Sequence, residues 1–277
     1  MVFTRLQLVE IMYKLPDDKV LISFSGGRTS GYMLHKIIEA NDGIPDTTIV
    51  AFANTGREMP GTIDFVNNIS VKWNVNVHWL EYRKSKPKFE KVSHNSVSMM
   101  GEPFEQLIDS KSANTFLPNQ AIRYCTQELK VKTIKRYLVS LGWKKWINTI
   151  GIRADESHRI KLSKDKRWEN WFPLADSFAT IRDVNDFWKK QSFDLNIVKG
   201  SGNCDGCFLK SEATLSAMIR EYPERMQWWD DMEQMTGGKF HKNRTYKSLS
   251  DYVTNQGDWI FDNESFLCQA NDGECTG

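Results

Sequence analysis

No apolar run in this 277-residue chain approaches the roughly 20 residues of a membrane span, and mean hydropathy is −0.51. A bundle of spanning helices is therefore excluded. Residues 1–15 alternate polar and apolar side chains like an amphipathic helix. They lack the continuous apolar stretch and small-residue cleavage site of a signal peptide, so the expected compartment is cytoplasmic, with no membrane partner. An excess of one charge sign is also missing: 37 Lys and Arg face 35 Asp and Glu, a net charge of +2. Any nucleic-acid surface must then be local. Cysteine is scarce, and the count of five is odd. That argues against a complete disulfide framework and leaves metal binding, redox chemistry or burial. Internal repeats, low-complexity segments, a Walker phosphate loop and a GxGxxG dinucleotide fingerprint are all missing too.

What is present supports a substantial core: 40% hydrophobic residues, 12% aromatic, ten of them tryptophan. The length suits one large domain or two small ones. Val20–Ser25, Thr48–Ala53, Val75–Tyr82 and Trp146–Gly151 read as strands. Gly31–Ala40, Pro60–Trp73 and Glu128–Leu141 read as helices between them. Such alternation predicts an α/β fold, a doubly wound and mostly parallel sheet that binds ligands at the carboxyl ends of its strands. Arg83–Asn119 reads as irregular, a candidate loop over a site. Beyond Phe172 the pattern turns helical, with Ile181–Gln191, Glu212–Tyr222 and Pro223–Met235. Gly200-Ser201-Gly202-Asn203 punctuates this region, so the expected division is an α/β domain over 1–199 and a helical, cysteine-bearing region over 200–277.

Ser23-Phe24-Ser25-Gly26-Gly27-Arg28-Thr29-Ser30 lies where the first strand turns into the first helix. Two glycines allow tight geometry and close phosphate approach, and the helix N-terminus offers backbone amides to an anion. Ser25, Thr29 and Ser30 add hydroxyls and Arg28 adds charge. An ordinary glycine turn is the competing reading.

Ser25-Gly26-Gly27-Arg28-Thr29-Ser30 resembles the SGGxxS loop of PP-loop ATP pyrophosphatases. Phe52-Ala53-Asn54-Thr55-Gly56-Arg57-Glu58, Arg123-Tyr124-Cys125-Thr126-Gln127-Glu128-Leu129-Lys130 and Gly151-Ile152-Arg153-Ala154-Asp155-Glu156 resemble segments of the phosphoadenosine phosphosulfate (PAPS) reductase branch, in family order. The resemblance spans residues 23–156 and continues through Cys204-Asp205-Gly206-Cys207. It implies a Rossmann-like fold of the adenine nucleotide alpha hydrolase type and an adenine nucleotide as ligand, ATP with Mg2+ in the pyrophosphatases. Carried onto this chain, it makes Ser23, Ser25, Gly26, Gly27, Arg28, Thr29, Ser30, Ala53, Asn54, Thr55, Gly56, Arg123, Lys130, Gly151 and Arg153 the expected nucleotide contacts. Ser25, Arg28, Ser30, Arg153 and Asp155 are the expected catalytic groups. Asp155 and Glu156 are candidate magnesium ligands; the alternative is that they pair with Arg153 or Arg159.

Cys204-x-x-Cys207 is a chelate spacing. Cys125 precedes a predicted helix beside Arg123, a setting expected to favour thiolate. In the reductase-like family, cysteines of these two regions hold a [4Fe-4S] cluster, which makes Cys125, Cys204 and Cys207 the expected ligands. One of the usual four is absent, so the fourth iron is either open or completed by Cys275 or Cys268 of the tail. Zinc with His158 or His241, a dithiol at 204 and 207, and inert buried thiols are the other readings. The tail Glu274-Cys275-Thr276-Gly277 shares only Glu-Cys with the C-terminal motif of sulfonucleotide reductases, which puts reductase activity in doubt.

Three functions compete. The first is ATP cleavage to AMP and pyrophosphate that activates an acceptor for sulfur insertion, in nucleic-acid thiolation or DNA phosphorothioation, with a cysteine desulfurase as partner. The second is reduction of PAPS or adenosine phosphosulfate through Cys275. The third is a non-catalytic nucleotide-binding subunit of a modification complex. Basic and aromatic residues over Arg136–Trp146 and Arg220–Trp229 are candidate contacts to DNA or RNA, or else packed helix faces.

Overall fold

The computed structural model describes residues 11–111, 116–198 and 200–256. Strands β1 (Val20–Ser23), β2 (Thr48–Asn54), β3 (Val77–Glu81), β4 (Glu90–Val92), β5 (Trp146–Thr149) and β6 (Trp168–Trp171) form one sheet. Their order is β4-β3-β2-β1-β5-β6, parallel throughout except for the antiparallel edge pair β3–β4. Order reverses at β1, between β2 and β5, which opens the crevice where such sheets take ligands.

Alternate residues of the central strands face opposite ways, and both faces are covered. Val20, Ile22, Val50 and Phe52 share one core with helices α1 (Arg28–Asn41), α2 (Pro60–Lys72) and α5 (Ile181–Trp188). Leu21, Ile49, Ala51 and Leu80 share the other with α4 (Thr133–Ser140), through Ile134, Tyr137 and Leu138. Each fully buried Val, Leu or Ile contributes about 1.5–3 kcal/mol. The doubly wound α/β architecture is thus present.

A third core belongs to the helical region. Phe104 and Leu107 of α3 (Glu102–Asp109) pack with α6 (Glu212–Glu221), α7 (Pro223–Thr236) and α8 (Tyr246–Gln256) around Trp228, Trp229 and Phe240. The Ser211 side chain accepts the Thr214 amide to cap α6. This region is fastened to the sheet by Asp205, which is fully buried. Asp205 accepts from Arg57 Nη2 at 2.7 Å, Arg225 Nε at 2.8 Å and Trp229 Nε1 at 2.8 Å.

Three differences from the sequence reading have physical causes. Arg83–Asn119 contains β4 and α3, because Phe104, Leu107 and Ile108 are buried by helices distant in sequence. Strand β6, Trp-Glu-Asn-Trp, is an edge strand without apolar alternation; its partner is set by Trp168 stacking on Trp146 at 5.3 Å. The helix expected from Glu128 begins instead as a π-helical segment, Thr126–Lys132, that runs into α4. The amphipathic helix read over residues 1–15 falls mostly outside the described residues.

Candidate functional site

Gly26, in the turn between β1 and α1, adopts φ +81, and a Cβ there would sit 2.9 Å from both Phe52 and Thr62. Only glycine fits that turn. Gly27 then caps α1 from an extended conformation and, lacking a side chain, leaves the first turn's amides to a ligand. Ser25 Oγ and Ser30 Oγ lie 2.9 Å apart, and Ser30 Oγ donates to the Gly27 carbonyl. Gly151, just after β5, lies against the Ser30 backbone, which places the two strand ends side by side.

Arg153 is buried under this loop. It donates to Thr29 Oγ1 at 3.0 Å and pairs with Asp155 at 3.0 Å and Glu156 at 3.4 Å. Glu156 also pairs with Arg159. Asp155 and Glu156 are thus both ion-paired with arginines here. Thr29 is likewise engaged. Arg28 points away from the loop: its guanidinium pairs with Asp194 at 3.0 Å and donates to Asn185 at 2.8 Å.

Beside the loop, an open cleft is lined by Ser23, Ser25, Ala53, Thr126, Lys130, Asn148, Trp146 and Trp168 among others. Its walls are largely apolar, with a polar ladder in which Ser23 donates to Asn148 and Asn148 to Asn170. A wide apolar slot with a few polar groups beside an anion-binding turn suits a nucleoside. Of the segment 53–56, only Ala53 lines this cleft. Asn54 is committed to Glu81 and to the Ser98 carbonyl, Gly56 donates its amide to Asn54, and Thr55 lines the neighbouring pocket.

That second pocket is lined by Thr55, Arg123, Cys125, Thr126, Lys130, Asn203, Cys204 and Cys207 among others. Thr126 and Lys130, one turn apart on the π-helical segment, belong to both pockets. The Cys204 and Cys207 turn closes through the Cys207 amide on the Cys204 carbonyl. Gly206 inside it lies against the Trp229 ring, where a Cβ would approach to 2.3 Å. Burial pushes the Cys125 thiol up to about 11, with Cys207 adding to the effect. Desolvation there outweighs Arg123 and the Thr126 hydrogen bonds, which favour the thiolate. Burial also raises Cys204.

Two lysines face these thiols. Burial works against the Lys130 ammonium, but Glu58 and the thiols outweigh it and raise its pKa. Lys210 is lowered by burial and donates to the Gly200 and Gly202 carbonyls. Among the described residues no three His, Cys, Asp or Glu side chains are grouped to hold a single ion. His158 and His241 do not line the thiol pocket. Cys268 and Cys275 lie outside the described residues.

Several residues here were given no role by the sequence, although Glu58 closes the family segment that begins at Phe52. Glu58 is buried, accepts the Thr55 amide and hydroxyl, and lies 3.6 Å from Lys130. Asn148, Trp168, Lys135 and Asn203 reach the pockets only through the sheet order and the helical region. In the candidate nucleic-acid segments Arg136–Trp146 and Arg220–Trp229, Trp143, Trp146, Trp228 and Trp229 are buried, whereas Lys144, Lys145 and Arg220 are exposed. No helix among the described residues is long and apolar enough to cross a membrane.

The chain is 31% identical over 211 residues to an uncharacterized nin region protein of Escherichia phage lambda, covering 73% of this chain and 69% of that protein. It is 26% identical over 251 residues to an uncharacterized protein of Methanocaldococcus jannaschii, covering 84% of this chain but spanning only 52% of that relative. Among solved structures, phosphoadenylyl-sulfate (PAPS) reductase from Candida auris in a phosphate complex aligns at 16% identity and a TM-score of 0.42, over 66% of this chain and 76% of the other. The model of the phosphoadenosine phosphosulfate reductase domain matches residues 19–198, a stretch that holds the loop, the cleft and Cys125, and the chain belongs to that PAPS reductase-like family of the PP-loop superfamily.

Proposed function

We propose that this protein binds ATP in the cleft and cleaves it between the α and β phosphates, adenylating an acceptor that then receives sulfur. The acceptor class is nucleic acid, in a thiolation or phosphorothioation reaction. The observation that carries the reading is the junction of the nucleotide cleft with the three-thiol pocket at Thr126 and Lys130. An acceptor oxygen attacks the α-phosphorus, the bond to the bridging oxygen breaks, and pyrophosphate leaves with the electron pair. A partner such as a cysteine desulfurase supplies persulfide sulfur, an external dithiol reduces it to hydrosulfide and is itself oxidised to the disulfide, and the hydrosulfide then displaces AMP.

In this reading the α1 amides and Ser25 and Ser30 hold the phosphates, and the apolar cleft excludes water. Lys130 and Arg123 offset negative charge between the pockets. Cys125, Cys204 and Cys207 would hold an iron–sulfur cluster, which supplies a site for binding sulfur. PAPS reduction is the second reading, favoured by the family itself.

The test is anaerobic purification followed by product analysis with labelled ATP, a sulfur donor and DNA or RNA. AMP and pyrophosphate are expected. ADP and phosphate alone would exclude the proposal, and sulfite released from PAPS would establish the second reading. Cys125→Ser, Cys204→Ser and Cys207→Ser should each deplete iron. Stoichiometric zinc without iron or labile sulfide would overturn the cluster.

A further inference from the structure

One surface beside the cleft is unaccounted for by the nucleotide chemistry. Between the 3-10 turn Ala154–Arg159 and β6, five of the nine residues Arg159–Arg167 are basic and one, Asp165, is acidic. The segment is tied down from the inside. The Asn170 side chain donates to the Lys161 carbonyl at 3.0 Å, and Ser163 Oγ donates to the Asp165 carbonyl and accepts its amide. Asp165 is taken by Lys135. Arg159 is taken by Glu156.

Lys161, Lys164, Lys166 and Arg167 remain exposed, and none of their side chains forms an ion pair within 4.0 Å among the described residues. Ile160 and Leu162 stand out between them, 38% and 91% exposed. The strap is continuous with the cleft. It runs directly into Trp168, which lines the cleft, and Lys135, which anchors Asp165, lines it too and sits 5.6 Å over the Trp168 ring.

We propose that the strap Ile160–Arg167 is the docking track for a nucleic-acid acceptor, with its four free cations on the phosphate backbone and Leu162 against a base. This rests on the proposed acceptor class and names the surface that presents it. An ordered row of unpaired cations fits a regular polyanion. An exposed apolar side chain among them fits the face of an unstacked base. The position at the cleft mouth delivers the bound strand to the nucleotide, which neither a flat membrane nor a general acidic surface would require.

The experiment uses the full chain and the fourfold variant Lys161→Gln, Lys164→Gln, Lys166→Gln, Arg167→Gln. A charge-matched control, Lys84→Gln, Lys86→Gln, Lys88→Gln, Lys91→Gln, alters the opposite sheet edge at β4. Fluorescence anisotropy with labelled single-stranded DNA, single-stranded RNA and duplex DNA across a salt series gives affinity and slope, and the three arms identify the form of acceptor. The strap variant should lose about tenfold or more in affinity, with a shallower salt dependence by roughly 0.7–0.9 per lost phosphate contact. The control should bind like wild type, and both variants should keep the wild-type thermal midpoint. Strap-independent binding overturns the proposal. So does wild-type protein that binds none of the three, and so does equal strap-dependent binding of polyglutamate or of anionic phosphatidylserine vesicles. AMP production is measured on the same samples. Wild type that never yields AMP and pyrophosphate defeats the ATP reading, whatever the strap does. Strap-independent oligonucleotide binding in protein that does yield them defeats the track alone.

Discussion

Gly26 and Gly27 are adjacent glycines that answer different constraints. At Gly26 the constraint is internal: positive φ and the Phe52 and Thr62 side chains leave no room for a Cβ. Gly26→Ala should therefore destabilise the fold by about 1–3 kcal/mol, read by urea denaturation. At Gly27 the backbone is extended at φ −103 and ψ 170, a conformation that β-branched residues adopt freely. Gly27→Val should leave stability nearly unchanged and set its side chain over the amides that a phosphate needs. ATP affinity by calorimetry should fall at least about tenfold, or ~1.4 kcal/mol. Wild-type affinity in folded Gly27→Val protein would remove the phosphate role from the loop. Arg123 is the next residue to test, since its Nε is buried without a hydrogen-bond partner at the pocket wall. Arg123→Met should weaken nucleotide or acceptor binding more than it weakens folding.

The π-helical segment Thr126–Lys132 is the element on which the two pockets meet. Its wider turn sets Thr126 and Lys130 at both pockets, and such segments occur frequently at functional sites. Lys130 faces Glu58 and the thiols, so removing it strands a buried carboxylate. Lys130→Met should cost about 1–3 kcal/mol in chemical denaturation. Adding Glu58→Gln should recover most of that loss, because the uncompensated charge goes with it. ATP turnover should stay low in the double variant, since the cation itself is still missing. A double variant no more stable than Lys130→Met would show that the two side chains are not energetically coupled.

At the scale of the whole molecule, Asp205 joins the sheet to the helical region. Two arginines and a tryptophan converge on one buried carboxylate, and the same turn carries Cys204 and Cys207. A buried ion pair is weak evidence for stability, but breaking one is costly. Asp205→Ala should lose about 3–5 kcal/mol and split the unfolding transition, with the helical region released first. Iron content should fall with it, while ATP affinity, which depends on β1, α1 and β5, should change much less. Parallel loss of both would mean that the nucleotide cleft also depends on the helical region's docking.

The α/β order, the loop at the end of β1 and the family segments were legible in the chain because each is a local pattern. Val20–Ser23 and Thr48–Asn54 are apolar enough to be buried on both faces, and two glycines before a helix can be read without knowing their neighbours. The edge strands β4 and β6, the π-helical start of α4 and helix α8 were not legible. Edge strands lack apolar alternation, and a π-turn has no distinct composition. Side-chain commitments were hidden for the same reason. Arg28 and Thr29 sit in the phosphate motif, yet one is held by Asp194 and Asn185 and the other by Arg153, all more than a hundred residues away. From its helix and its arginine the sequence made Cys125 a setting that favours thiolate; the burial that pushes its thiol up comes from packing. Local chemistry determined which groups this protein carries. Only packing decided which of them are free, because a partner or a desolvated wall comes from segments that the chain brings together in folding.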